Sequence, residues 1–328
     1  MKVLILGGGG MIGRKLAERL ARDGRLGTAE VSSLTLYDVV PPQKPAGAKF
    51  PVEALTGDLP APGEAEKLVA SKPDVIFHLA AIVSGEAEQD FEKGYRINLQ
   101  GTMNLLEAIR RAYDGAARKP RLVFTSSIAV FGSPFPEKIP DDFFLTPLTS
   151  YGTQKAAGEL LLADYTRKGM LDGVGIRLPT ICVRPGKPNK AASGFFSNIM
   201  REPLAGQEAV LPVSDDVMHW HASPRAAVGF LLHAATIDGA RLGPRRNLSM
   251  PGLAVTVGQQ IEALRKIAGE EVVARIRREP DPFVQEIVAG WPRNFDTRRS
   301  IELGFKADAS FEDIIRIHVE DELAGKIV

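Results

Sequence analysis

Residues 2–13 read Lys2-Val3-Leu4-Ile5-Leu6-Gly7-Gly8-Gly9-Gly10-Met11-Ile12-Gly13, and the fold is decided here. Lys2 to Leu6 is a short apolar run without polar alternation, the pattern of a strand buried on both faces of a parallel sheet. Beyond the glycines, Ile12, Leu16 and Leu20 recur at helical spacing, with Arg14, Lys15, Glu18 and Arg19 on the opposite side. Gly7, Gly10 and Gly13 are spaced by three between that strand and that helix. One such glycine permits a tight turn, one lets backbone approach a pyrophosphate, and one lets the helix pack closely on the strand. The free N–H groups and the dipole at the helix start then favour an anion.

Working outward, Ser33 to Asp38 is a second strand, closed by a proline-rich break over 39–45. Asp38 at its end can accept both hydroxyls of an adenosine ribose and repels a 2′-phosphate. No Arg or Lys follows until Lys44, so NAD is expected rather than NADP. Asp58, after the third strand, is placed to meet the adenine edge. Asp74-Val75-Ile76-Phe77-His78-Leu79 and Arg121-Leu122-Val123-Phe124-Thr125-Ser126 repeat the short apolar theme, with a long helical pattern through Ile97, Leu105, Leu106 and Ile109 between them. A helix over about 150–168 and a strand near 174–181 continue the alternation. The pattern predicts an α/β fold, a Rossmann-type doubly wound parallel sheet wrapped by right-handed crossovers.

The 328 residues suggest two domains. Beyond about residue 180, prolines at 185, 188, 203, 212, 224, 244 and 251 cut the chain into shorter pieces. Residues 1–180 with about 214–240 are therefore assigned to the nucleotide-binding sheet, and about 181–213 with 241–328 to a smaller C-terminal substrate lobe. Apolar residues at 44% and charged residues at 25% suit a packed protein and not a disordered one. With 41 Lys and Arg against 40 Asp and Glu, nothing electrostatic favours nucleic acid or an anionic membrane as partner. Cys182 is the single cysteine, which excludes an internal disulfide. No apolar run reaches the ~20 residues of a membrane span. A cytoplasmic protein is expected.

Tyr151-Gly152-Thr153-Gln154-Lys155 places a phenol and an ammonium four apart, on one face of a helix. A phenol is a poor base near neutrality because its reference pKa is about 10. A neighbouring cation stabilises the phenolate, so Tyr151 can take a proton from an alcohol or return it to a carbonyl. The third part is Phe124-Thr125-Ser126-Ser127, ending a strand at its carboxyl end, where ligands of open α/β sheets bind. Ser127, rather than Ser126, is taken as the hydroxyl that bonds the substrate oxygen whose charge changes.

With these residues in view, the chain resembles the extended short-chain dehydrogenase/reductase family, which includes nucleotide-sugar epimerases and dehydratases. The likeness lies at Gly7, Gly10 and Gly13, Asp38, Leu79-Ala80-Ala81, Asn98 with Gly101-Thr102, Ser126-Ser127, Tyr151 and Lys155. It extends to Asp296-Thr297-Arg298-Arg299-Ser300-Ile301-Glu302-Leu303-Gly304-Phe305 and Phe311-Glu312-Asp313, so it spans nearly the whole chain. The resemblance implies that Tyr151 is the acid/base, that Lys155 also binds the nicotinamide ribose, and that Ser127 steadies the substrate. It further implies that Met11, Ile12, Leu79, Ala80, Ala81, Asn98 and Ser126 belong to the cofactor site. A homodimer built from helices around 89–113 and 150–168 is expected from the same likeness.

Nucleotide-sugar members carry an Arg that holds a diphosphate where this chain has Met218, within Met218-His219-Trp220-His221-Ala222-Ser223-Pro224. That departure, with Ser193-Gly194-Phe195-Phe196-Ser197-Asn198, makes the chain most similar to members that use NAD to oxidise the 2-hydroxyl of a small sugar acid. Ser84, Thr180, Asn198 and His219 join Ser127 and Tyr151 as expected substrate contacts. Arg184, Lys187, Arg201 and His219 are the candidates for a substrate carboxylate. Phe195, Phe196 and Trp220 are candidates for closing over the ligand. His219 and His221 share a strand face but lack a third ligand, so no metal is expected. The alternative activity is a nucleotide-sugar epimerase or dehydratase that recycles its NAD within each cycle. A cofactor sensor without turnover is disfavoured, because it would need neither Ser127, Tyr151 nor Lys155.

Overall fold

A computed structural model describes residues 1–186 and 193–328. The apolar runs form strands β1 (Lys2–Leu6), β2 (Ser33–Asp38), β3 (Val52–Thr56), β4 (Val75–His78), β5 (Arg121–Ser127), β6 (Asp172–Leu178) and β7 (Asn247–Ser249). They make one parallel sheet in the order β7-β6-β5-β4-β1-β2-β3. The strand order turns back between β1 and β4, which opens a crevice at the carboxyl ends of the strands.

Period-two alternation divides β1 between two cores. Val3 and Ile5 face one layer, where α1 (Met11–Asp23) contributes Leu16 and Leu20 and the helix over Pro224–Thr236 contributes Phe230 and Leu231. Leu4 and Leu6 face the other, with Leu105 and Ile109 of α2 (Gly101–Ala112) and Leu162 of α3 (Ser150–Arg167). Both layers bury β1, as a run without alternation requires.

The lobe has a core of its own. Phe196 and Met200 of α4 (Gly194–Leu204), Ile261 and Leu264 of α5 (Val257–Ala268), and Ile314 and Ile315 of α6 (Phe311–Glu322) pack together there. Thr256 caps α5 in a reciprocal capping box with Gln259, satisfying two backbone N–H groups.

Two details differ from the sequence reading. The strand expected through residue 181 divides: β6 ends at Leu178, and Thr180–Ile181 pairs with Met218–Ala222 in a separate sheet that also holds Leu253–Thr256. Pro179 lies at the division, where it has no N–H to continue a ladder. In addition, Asn247–Ser249, from the stretch given to the lobe, extends the main sheet, and Leu303 and Phe305 pack into its core. Asn247–Ser249 is too short to carry a periodic signal. Among the described residues, no helix is long and apolar enough to cross a membrane.

Candidate active site

The glycine run forms a cradle between β1 and α1. Gly7 adopts φ +89°, a conformation open to glycine at little cost. A Cβ on Gly13 would lie 2.1 Å from the Gly7 carbonyl oxygen, and one on Gly7 would lie 2.8 Å from the Ala80 backbone nitrogen. Gly10 precedes α1 with no side-chain cap, which leaves first-turn N–H groups for an anion. Asp38 accepts a hydrogen bond from the Gly9 N–H at 2.9 Å, fixing its carboxylate beside the cradle. The residues fit a dinucleotide pyrophosphate and ribose. Met11, Ile12, Leu79, Ala80 and Ala81 are half-buried around this crevice.

Three residues assigned to the cofactor are engaged within the protein. Asp58 pairs with Arg96 at 2.5 Å. Asn98 is buried, accepts from the Ile82 N–H at 2.8 Å and donates to Gln154 at 2.7 Å, tying the loop after β4 to α3. The Ser126 hydroxyl donates to Glu159 at 2.5 Å, whereas Ser127 Oγ accepts from the Ala129 N–H at 3.1 Å.

Thr149 caps α3 by accepting from the Gly152 N–H, which sets Tyr151 in the first turn and Lys155 one turn on. Ser127, at the end of β5, is brought near enough to Tyr151 for its hydroxyl to favour the phenolate. Burial raises the phenol above its ordinary range, while the Arg184 charge and the Ser127 hydroxyl pull it down. Lys155 Nζ donates to the Thr125 carbonyl at 2.9 Å and lies 5.7 Å from the Tyr151 ring centroid. Burial lowers this ammonium to about 8. Lys155 thus reaches the strand-end carbonyl while staying near the Tyr151 ring, and Arg184 is a second cation whose charge acts on the phenol.

Sequence reasoning missed the ion pair beneath this site. Glu159 and Arg177 are 0% and 5% exposed, and Arg177 Nη2 donates to Glu159 at 2.8 Å. Glu159 also takes the Ser126 hydroxyl, so it joins α3, β5 and β6. An acid on the Tyr-Lys helix gave no local sign that its partner lay on the next strand.

On the lobe side, Thr180 Oγ1 and His219 Nε2 are 2.7 Å apart, and His219 stacks on Phe196 with centroids at 5.0 Å. His219 and His221 do share a face, with centroids 5.4 Å apart, and His221 contacts Gln260 at 2.9 Å. Burial holds His219 neutral, down to about 3. Asn198 accepts from Arg201 at 2.9 Å. Ser84 is half-buried at the start of a helix over Ser84–Gln89. Lys187 lies outside the described residues. Phe195 and Phe196 belong to the lobe core and Trp220 packs on Phe295, so these aromatics are core residues rather than a cover over the ligand. The Cys182 thiol is fully buried and pushed up to about 12.

Residues 3–221 match the NAD dependent epimerase/dehydratase family, and the chain belongs to it. It is an NAD-dependent enzyme of the extended short-chain dehydrogenase/reductase type. The chain is 46% identical to the D-erythronate dehydrogenase of Cupriavidus necator over 325 residues, covering 98% of each chain. It is 42% identical to the D-erythronate dehydrogenase of Haemophilus influenzae, over 98% of this chain and 100% of that one. A crystal structure described as a nucleoside-diphosphate-sugar epimerase from Agrobacterium tumefaciens superposes with TM-score 0.97 at 65% identity, covering 99% of this chain and 95% of that one.

Proposed function

We propose that this protein oxidises the 2-hydroxyl of D-erythronate, or a closely similar small sugar acid, to the 2-oxo acid. The observation that carries the reading is the convergence of Ser127 at the end of β5 with Tyr151 and Lys155 in the first turns of α3, at the same sheet end as the glycine cradle. There Lys155 Nζ holds the Thr125 carbonyl and lies 5.7 Å from the Tyr151 ring centroid. Full-length likeness to two D-erythronate dehydrogenases supports the substrate.

In this reading Gly7, Gly10, Met11, Ile12 and Gly13 hold the pyrophosphate, Asp38 the adenosine ribose, and Leu79, Ala80 and Ala81 line the crevice. Asn98 acts by fixing the loop after β4, and Glu159 with Ser126 fixes α3 against β5. Bound NAD supplies the hydride acceptor. Tyr151 takes the hydroxyl proton as the carbonyl forms, Ser127 hydrogen-bonds the same oxygen, and Lys155 grips the nicotinamide ribose. Ser84, Thr180, Asn198 and His219 form the substrate wall. Residues 1–180 with about 214–240 carry the cofactor, and about 181–213 with 241–328 carry the substrate lobe, except that Asn247–Ser249 joins the main sheet and Met218–Ala222, with His219, pairs with Leu253–Thr256 on the lobe side.

The pair of subunits is proposed to meet through α2 and α3, whose outer faces leave Met103 41% and Leu160 65% exposed. Light scattering should give a dimer, and Leu160→Asp should shift it toward monomer.

A second reading, nucleotide-sugar epimerisation, is favoured by the description of the Agrobacterium relative. Against it, Met218 stands where a diphosphate-binding Arg is expected, and a diphosphate needs a charged fork or ammonium. Purified protein given NAD and D-erythronate should accumulate NADH. Silence toward sugar acids together with isomerisation of a UDP-sugar would reverse the assignment.

A further inference from the structure

A small acid whose hydroxyl reacts at the carbon beside its carboxylate needs a cation close to the catalytic phenol. Of the four basic candidates, two are disqualified by their surroundings. Arg201 donates to the Arg184 carbonyl and to Asn198, both at 2.9 Å, and pairs with Glu202. His219 is neutral and bonded to Thr180, so it can donate a hydrogen bond but brings no charge.

Arg184 differs from both. It lies shortly beyond Leu178, the residue in register with Ser127 across β5 and β6, so its loop leaves the sheet directly beside the catalytic hydroxyl. Its backbone is clamped on α4: the N–H donates to Ser197 Oγ at 3.0 Å, and the carbonyl receives Arg201. Its Nε turns back to the Ile181 carbonyl at 3.3 Å. The ionisable groups acting on its guanidinium are the Tyr151 phenol and the Cys182 thiol, both neutral near pH 7. Among the described residues, no carboxylate pairs with it. A half-buried guanidinium without an acid is incompletely compensated until an anion arrives. Its planar fork matches a carboxylate in bidentate geometry.

We propose that Arg184 is the anchor for the substrate carboxylate, held by Ser197 and Arg201 so that its fork faces the acid group while Tyr151 and Ser127 face the adjacent hydroxyl. The proposal rests on the sugar-acid reading and deepens it, since it makes an acid group beside the reacting carbon the feature this enzyme selects. The same charge favours the phenolate of Tyr151, so one side chain both selects the acid and assists the base.

The test is the pair Arg184→Gln and Arg184→Lys, assayed with NAD and D-erythronate. For Arg184→Gln the expected result is a KM for the acid raised at least ~30-fold, with Kd for NAD unchanged. The lower-pH limb of its kcat profile should move upward, because the phenol loses a stabilising cation; a structural role alone would leave that limb in place. Arg184→Lys should recover part of the KM. A KM within ~3-fold of wild type in Arg184→Gln overturns the proposal, as does a KM rise in Lys187→Gln that Arg184→Gln lacks. Should Arg184→Gln fail to bind NAD, Arg184→Lys decides: unchanged KM overturns the anchor, and a ~10-fold rise supports it. If wild type makes no NADH from sugar acids, the reaction itself is refuted. Calorimetry of D-erythronate with the NAD-bound protein then reads the anchor alone, where binding lost in Arg184→Gln or Arg184→Lys supports it and no binding to wild type overturns it.

Discussion

The glycine cradle and the proposed substrate wall are made of different material. At the cradle, backbone does the positioning: Gly7 and Gly13 let one turn of chain and one helix start approach as side chains would forbid, and Asp38 is held by the Gly9 N–H. In the proposed substrate wall, side chains position side chains: Thr180 against His219 and His221 against Gln260 join separate elements, and Asn198 meets Arg201 within α4. A backbone wall allows few sequences and fixes a ligand common to a family. A side-chain wall can be altered one contact at a time, which in the proposed reading is where the choice of substrate is set.

Between the two walls stands Tyr151, and its loss should have the largest effect. Tyr151→Phe is expected to lower kcat by 10²–10⁴-fold, the usual scale of acid/base catalysis, with NAD binding kept. Near-full turnover would remove the phenol from the chemistry.

Next in size is an acid response from both walls. Burial pushes His78 behind the sheet and His219 in the lobe down to about 3, so the fold keeps both neutral. The unfolded chain protonates them below about pH 6.5 and binds more protons from there to about pH 3. Their contribution is therefore complete above pH 6.5 and is lost as pH falls. By pH 5 the loss is about 2 kcal/mol for each, seen as a falling thermal midpoint. A midpoint flat from pH 7 to 5 would contradict the neutral assignment.

Gly13→Ala presses on the backbone wall alone. With its Cβ 2.1 Å from the Gly7 oxygen, it should cost about 2 kcal/mol of stability and weaken NAD at least ~10-fold, measured by calorimetry. The smallest change is for Asp38→Ala, which should reduce the preference for NAD over NADP by about tenfold in kcat/KM. If either variant altered KM for the acid while sparing NAD, the division of labour between the walls would fail.

How much was legible follows the same division. The strand–glycine–helix unit could be read because its constraint is local: a run buried on both faces, glycines at a turn, and a helical stripe. The Tyr-Lys pair on α3 was readable for the same reason, as four residues is one helical turn. The π-helical turn over Tyr95–Gln100 and the Glu159–Arg177 pair left no such mark, since buried polar groups on α3 blur its apolar stripe. The end of β6 at Leu178 was misjudged because Thr180 and Ile181 are as strand-prone as the residues before them; only their partner, Met218–Ala222, assigns them to another sheet.

By itself, then, the amino-acid order determined a parallel nucleotide-binding sheet, the glycine cradle and the helix that carries the Tyr151 phenol and Lys155, because each depends on neighbours within a few residues. Folding in three dimensions decided that Arg184 also acts on that phenol, that Ser126 is the serine engaged by Glu159, and that His78 and His219 stay neutral. Those outcomes depend on burial and on partners distant along the chain, and local periodicity carries no record of either.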